Sequence, residues 1–147
     1  MLIVAFDPGG TTGVASYDDQ EEEWARTQLI GYHHKELWEW LLNHDPQVII
    51  YERFMYQRRE LTKGVSLNLD AVEYIGVLKL WEKMSSPLSP QLICQTPHQA
   101  KKFWDDNKLK TLNLYMAGAP HANDATRHLL YYLSFTRGEK DWVKRLA

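Results

Sequence analysis

Apolar and polar positions along this chain follow one another in a mixed α/β order. Leu2 to Phe6 is an almost continuous apolar run that stops at Asp7-Pro8-Gly9-Gly10, which reads as a buried strand ending abruptly in a turn. Gly13 to Tyr17 reads as a second strand and Ala25 to Tyr32 as a third. The acidic run Asp18-Asp19-Gln20-Glu21-Glu22-Glu23 between them is expected as a solvated hairpin connection. From Glu36, the apolar residues Leu37, Trp38, Leu41 and Leu42 fall at helical spacing until Asn43-His44-Asp45-Pro46 ends the helix. Val48 to Tyr51 is a fourth strand. A strand, a helix and another strand in this order form a crossover, so the fourth strand is expected parallel within the same sheet.

Leu69 to Met84 carries Leu69, Val72, Ile75, Leu78 and Trp81 on a helical stripe broad enough to cover the sheet and also meet a partner. Pro87 and Pro90 break that helix, and Gln91 to Gln95 reads as a short fifth strand. Pro97 suits a first helical turn, so a helix is expected over His98 to Trp104. Lys108 to Met116 is expected to continue as helix, and a last helix to run from about His121 to Phe135. The expected architecture is a five-stranded mixed sheet, a three-strand antiparallel meander plus two parallel strands, flanked by helices.

A length of 147 residues, 44% hydrophobic and 24% charged, suits one domain spanning 1–147 around one core. The only apolar stretch at the N-terminus runs into Asp7, so neither a signal peptide nor a membrane span is expected, and the expected location is cytoplasmic. Cys94 is the single cysteine, which excludes an internal disulfide and a cysteine-based zinc cluster; it is expected as a small buried thiol. The net charge of −2 argues by itself against a nucleic-acid partner. Its distribution changes that picture. Residues 1–52 carry two basic and ten acidic side chains, whereas residues 53–110 carry ten and six.

The candidate chemistry is acidic. Asp7 ends the first strand and Glu52 the fourth, and parallel neighbours lie about 4.8 Å apart. If the two strands are adjacent, both carboxylates meet at the carboxyl edge of the sheet, where functional crevices of such folds lie. On the last helix, His121, Asp124 and His128 are spaced to share one face, which can bring His121 and Asp124 to the same edge. Crowded carboxylates with no basic partner predicted beside them favour a cation. Mg2+ or Mn2+ suits such oxygen ligands, and two ions about 3.5–4 Å apart can activate water and stabilise the leaving oxygen of a phosphodiester. His121 would serve as a nitrogen ligand or as a proton carrier. Taken singly, each residue also has a plain role: Asp7 as a turn former, Glu52 as a strand exit, His121 and Asp124 as first-turn helix residues.

The stretch Ile3-Val4-Ala5-Phe6-Asp7-Pro8-Gly9-Gly10-Thr11-Thr12-Gly13 resembles the opening of the RuvC family of Holliday junction resolvases. Val48-Ile49-Ile50-Tyr51-Glu52 resembles the family's second acidic strand, and His121-Ala122-Asn123-Asp124-Ala125 its third motif. The resemblance spans nearly the whole chain in the family's order. It implies a ribonuclease-H-like α/β fold and a catalytic metal set of Asp7, Glu52, His121 and Asp124 with two Mg2+ or Mn2+ ions. It further implies cleavage of branched DNA, a four-way junction, by a homodimer with the 69–84 helix near the dimer contact. By the same resemblance Lys101, four residues after Pro97, supports cleavage, Lys108 or Lys110 is a second such lysine, and Phe54 or Tyr56 wedges into the junction. Arg58, Arg59 and Lys102 join these as candidate DNA contacts in the basic segment.

The sequence is compatible with other readings. Related nucleases of the same fold act on flaps, forks or RNA, and an inactive module of that fold would bind nucleic acid without cutting. Asp7-Pro8-Gly9-Gly10-Thr11-Thr12-Gly13 also resembles the phosphate loop of actin-like and sugar-kinase ATPases, which enclose nucleotide between two domains.

Overall fold

A computed structural model describes residues 1–30, 34–55, 69–85 and 90–147. Strands β1 (Leu2–Asp7), β2 (Thr11–Asp18), β3 (Glu23–Ile30), β4 (Val48–Glu52) and β5 (Gln91–Gln95) form one sheet in the order β3-β2-β1-β4-β5. β1, β2 and β3 are the antiparallel meander, and β4 lies parallel between β1 and β5, as the hydrophobic pattern implied. The helices are α1 (His34–His44), α2 (Asp70–Met84), α3 (Pro97–Phe103), α4 (Asp106–Thr111), α5 (Pro120–Tyr131) and α6 (Asp141–Lys144). Among the described residues no helix is long and apolar enough to cross a membrane.

Successive side chains of a strand point to opposite faces, so β1 and β4, apolar at nearly every position, supply two cores. Ile3, Ala5, Ala15, Val48 and Ile50 pack on one face beneath Ala125, Leu129 and Leu133. Val4, Phe6, Val14 and Ile49 pack on the other, beneath Leu37 and Leu41 of α1 and Tyr74, Leu78 and Trp81 of α2. α5 crosses the first face, against β1, β2, β3 and β4.

Several sequence expectations are corrected. α4 stops at Thr111 rather than continuing toward Met116, because Asn113 takes the left-handed conformation (φ 58°) that ends helices. α5 gives way after Tyr131 to a π-helical turn, Tyr132–Thr136, instead of running on regularly to Phe135. Cys94 is exposed, not buried, since β5 is the sheet edge and has a neighbouring strand on one side only. Leu42 likewise faces outward, while Trp38 packs partly against the core. The acidic connection is more than a solvated loop: Asp19 pairs with the Met1 amine at 2.8 Å and with Arg137 at 3.3 Å.

Candidate functional site

The alternation that builds the first core also places polar side chains at its rim. One step past Ile3 and Ala5 on the same face of β1 is Asp7, and one step past Val48 and Ile50 on β4 is Glu52. Phe6 pairs with Tyr51, so the two strands deliver Asp7 and Glu52 side by side. On β5, Gln95 follows Ile93 in the same way and pairs with Glu52. Asp7 does not act as a turn former. Thr12 holds the turn instead, its hydroxyl donating to the Gly9 carbonyl at 3.2 Å. Asp7 is buried, with Oδ2 lying 3.2 Å from His121 Nδ1.

His121 and Asp124 come from the first turns of α5, whose N-terminus is seated by residues from other elements. Ala119 at the N-cap makes no side-chain cap bond, and Gln28 of β3 accepts instead from the His121 and Ala122 backbone N–H groups. Gly13 is the ladder partner of Gln28, and a Cβ there would overlap the His121 carbonyl, so only glycine lets α5 lie this close to β2. Asn123, buried, both accepts from the Met116 N–H (2.8 Å) and donates to the Met116 carbonyl (2.9 Å), tying the preceding loop to the helix.

The carboxylates are not without basic partners, contrary to the sequence expectation. Lys101 Nζ lies 3.4 Å from Glu52 Oε2 and 3.3 Å from Asp124 Oδ2, and Arg127 pairs with both Asp124 and Asp106. His128, fully buried, places Nε2 2.7 Å from Glu52 Oε2 and Nδ1 2.7 Å from Gln95 Oε1. Among the described residues no three His, Asp, Glu or Cys side chains converge as a metal cage, and Lys101, Arg127 and His128 engage two of the carboxylates.

The charges are nevertheless strained. Burial, then repulsion from Glu52 and Asp124, pushes the Asp7 carboxyl up to about 6, against the opposing pull of His121 and Lys101. Burial also pulls Glu52 upward, but the His128 hydrogen bond and the fields of His128 and Lys101 outweigh it and leave Glu52 below the usual carboxylate range. For Lys101 burial favours the neutral form, and Glu52 and Asp124 override it, so the amine is held above its ordinary value and stays charged.

Asp7, Glu52, His121, Asp124 and Lys101 therefore meet at one rim. Phe54 lines a cleft of about 240 Å³ with Pro8, Glu52, Met55 and Lys101. Lys102 is exposed on α3. Lys108 is turned to its own neighbourhood, donating to the Phe103 carbonyl at 2.6 Å and lying over the Phe103 ring, and Lys110 lies over the Tyr115 ring. Tyr56, Arg58 and Arg59 lie outside the described residues. Sequence reasoning missed the roles of Gln28, Gln95, Arg127 and His128. Gln95 was reachable by the alternation that exposed Asp7 and Glu52; Gln28 and Arg127 carried no comparable signal.

The sheet order, the helix crossing its first face and the acidic rim at the carboxyl ends of parallel strands define a ribonuclease-H-like α/β fold. No protein-family model matches the chain, and no curated protein sequence does. Solved structures do: the fold is that of RuvC. Thermus thermophilus RuvC in complex with a Holliday junction substrate is similar over 95% of this chain and 96% of that one, with a TM-score of 0.66 at 16% identity. Thermus thermophilus RuvC in a second structure is similar over 93% and 96%, with a TM-score of 0.60 at 17% identity.

Proposed function

We propose that this chain is a divalent-cation-dependent endonuclease of branched DNA, which as a homodimer resolves four-way junctions by paired nicks. The observation that carries the reading is the meeting of Asp7, Glu52, His121 and Asp124 at one rim, in a fold shared with RuvC. One of the similar RuvC structures holds a Holliday junction substrate, the class of DNA proposed here. The donor set suits Mg2+ or Mn2+, being three hard carboxylates and an imidazole, and the raised Asp7 carboxyl marks a repulsion that a cation relieves. Asp7, Glu52, Asp124 and His121 would hold two such ions, which supply Lewis-acid activation of water and neutralise charge developing at phosphorus.

The remaining work falls to side chains of this chain. Lys101, kept charged between Glu52 and Asp124, would offer its ammonium to the scissile phosphate once those carboxylates were engaged by a cation. His121, half exposed beside Asp7, holds or moves a proton at its imidazole. Phe54, which lines the same cleft as Arg53, meets the splayed strand, and Lys102 offers charge to the backbone. α2 buries Tyr74, Leu78 and Trp81 while Val72, Leu80 and Met84 remain exposed, an apolar outer side suited to a second copy.

The test is a panel of labelled four-way junction, fork, flap, linear duplex and RNA:DNA hybrid, with Mg2+, Mn2+ or chelator. Paired symmetric nicks in the junction, lost with chelator and in Asp7→Asn, are the expected result. Wild-type cutting by a folded Asp7→Asn removes the site assignment. Cutting of forks, flaps or hybrids with the junction left intact transfers the activity to another nuclease of this fold. Sedimentation as a monomer at working concentration counts against paired cutting.

A further inference from the structure

His128 is fully buried, yet the chemistry proposed above does not use it. It lies one helical turn beyond Asp124 on α5, where an apolar side chain would continue the packing of Ala125 and Leu129 against the sheet. A buried imidazole has to satisfy both nitrogens, and both are satisfied by polar side chains that end adjacent strands. Nε2 is 2.7 Å from Glu52 Oε2 at the end of β4, and Nδ1 is 2.7 Å from Gln95 Oε1 at the end of β5. Glu52 and Gln95 are ladder partners, so the ring bridges two strand ends whose spacing the sheet already sets.

The proton positions follow from the partners. A carboxylate only accepts, so Nε2 must carry the hydrogen that faces Glu52. Gln95 supports the ring from behind in either orientation of its amide. As placed, its oxygen accepts from Nδ1 and leaves its buried nitrogen without a partner; turned over, that nitrogen donates to Nδ1 and the ring is neutral. Nε2–H points at Glu52 in both cases. The same oxygen of Glu52 also faces Lys101 at 3.4 Å, while Oε1 has no protein donor among the described residues.

We propose that His128, backed by Gln95, is the positioning residue of Glu52: it pins Oε2 and thereby leaves Oε1 as the oxygen offered to a divalent cation. The inference rests on the metal-dependent reading above. A partner behind a ligating carboxylate fixes its rotamer, and loss of such a partner commonly weakens metal binding by about 10–100-fold. Lys101 is the looser partner of the same oxygen, since it lies 3.4 Å away, is shared with Asp124 at 3.3 Å and is part exposed, whereas His128 is fully buried at 2.7 Å.

The experiment uses the full chain and Mn2+ as the probe. In the metal-free wild type, nitrogen-resolved NMR of the imidazoles is expected to show His128 Nε2 protonated and coupled across the hydrogen bond. Mn2+ titration followed by electron paramagnetic resonance is expected to show about 10–100-fold weaker binding in His128→Phe, with most of it regained in His128→Gln, which returns an N–H near the Nε2 position. Gln95→Leu, a milder change to the core, is expected to weaken binding in the same direction if His128→Phe does not fold. An unprotonated Nε2, or wild-type Mn2+ affinity in folded His128→Phe or Gln95→Leu, overturns the proposal. A wild type that binds no Mn2+ overturns the metal-dependent reading instead, and the NMR signal of Nε2 then decides the His128–Glu52 bond by itself.

Discussion

The His121 backbone N–H donates to Gln28 Oε1 at 3.1 Å, joining the first turn of α5 to a strand far away in the chain. The same oxygen accepts from Ala122 N–H at 3.3 Å. The first N–H groups of a helix have no partner within it, and here a glutamine of β3 satisfies two of them. Because Gln28 pairs with Gly13 across the ladder, one small spot on the sheet decides where His121 and Asp124 stand relative to Asp7.

Replacing either partner is therefore expected to affect the site more than the fold. Gln28→Ala removes a cap and is expected to cost about 1 kcal/mol in urea unfolding. Gly13→Ala forces a methyl group into the His121 carbonyl, and about 3 kcal/mol is expected, with α5 pushed off the sheet. In both variants junction cleavage is expected to fall further than the folded fraction does. A Gly13→Ala protein with wild-type stability and cleavage would show that α5 is not seated here.

Asp7 gives a pH signature to the metal-free protein. Its folded-state carboxyl, at about 6, holds a proton more tightly than the ordinary value of 3.8, so its contribution to stability is complete below pH 4 and is lost as pH rises through about 6. Asp7→Asn is expected to remove that loss and to be more stable than wild type at pH 7 by about 2–3 kcal/mol. Below pH 4 the two proteins are expected to converge. Thermal melts across pH 4–8 in chelator measure the difference. Mg2+ added at pH 7 is expected to raise the wild-type melting temperature and leave Asp7→Asn nearly unmoved.

Lys101 is the cation that a metal ion would displace. Lys101→Met is expected to cleave the junction about 100-fold more slowly under single-turnover conditions, the scale of losing one charge-stabilising donor. Its Mn2+ affinity is expected to equal or exceed wild type, because a competing ammonium has gone from between Glu52 and Asp124. Full-rate cleavage by Lys101→Met would assign the lysine to structure alone.

Cys94 is exposed on the edge strand, so a thiol reagent is expected to modify it in the native protein without denaturant. Mass spectrometry counts the single addition. Protection of the native thiol, released only on unfolding, would contradict the placement of β5 at the sheet edge.

The order of strands and helices was legible because the signals are local, a short unbroken apolar run stopped by a turn in β1 and apolar residues at helical spacing in α1, and neither needs knowledge of the rest of the chain. Asp7, Glu52 and Asp124 were legible only together: a carboxylate directly after each of two apolar strands and another early in the last helix, in the order of motifs that resemble those of RuvC.

What could not be read is the set of partners. Lys101, Arg127 and His128 reach the carboxylates only because the crossover puts β4 beside β1 and lays α5 across the same face. The predicted absence of basic neighbours failed on this point. Likewise Cys94 looked like a core residue until strand order placed β5 at the edge. Sequence by itself determined which residues could carry the chemistry, since backbone period and side-chain type are local properties. Tertiary structure alone decided which charge faces which, since Coulomb interaction and hydrogen bonding depend on distances that close only when the sheet and α5 have packed.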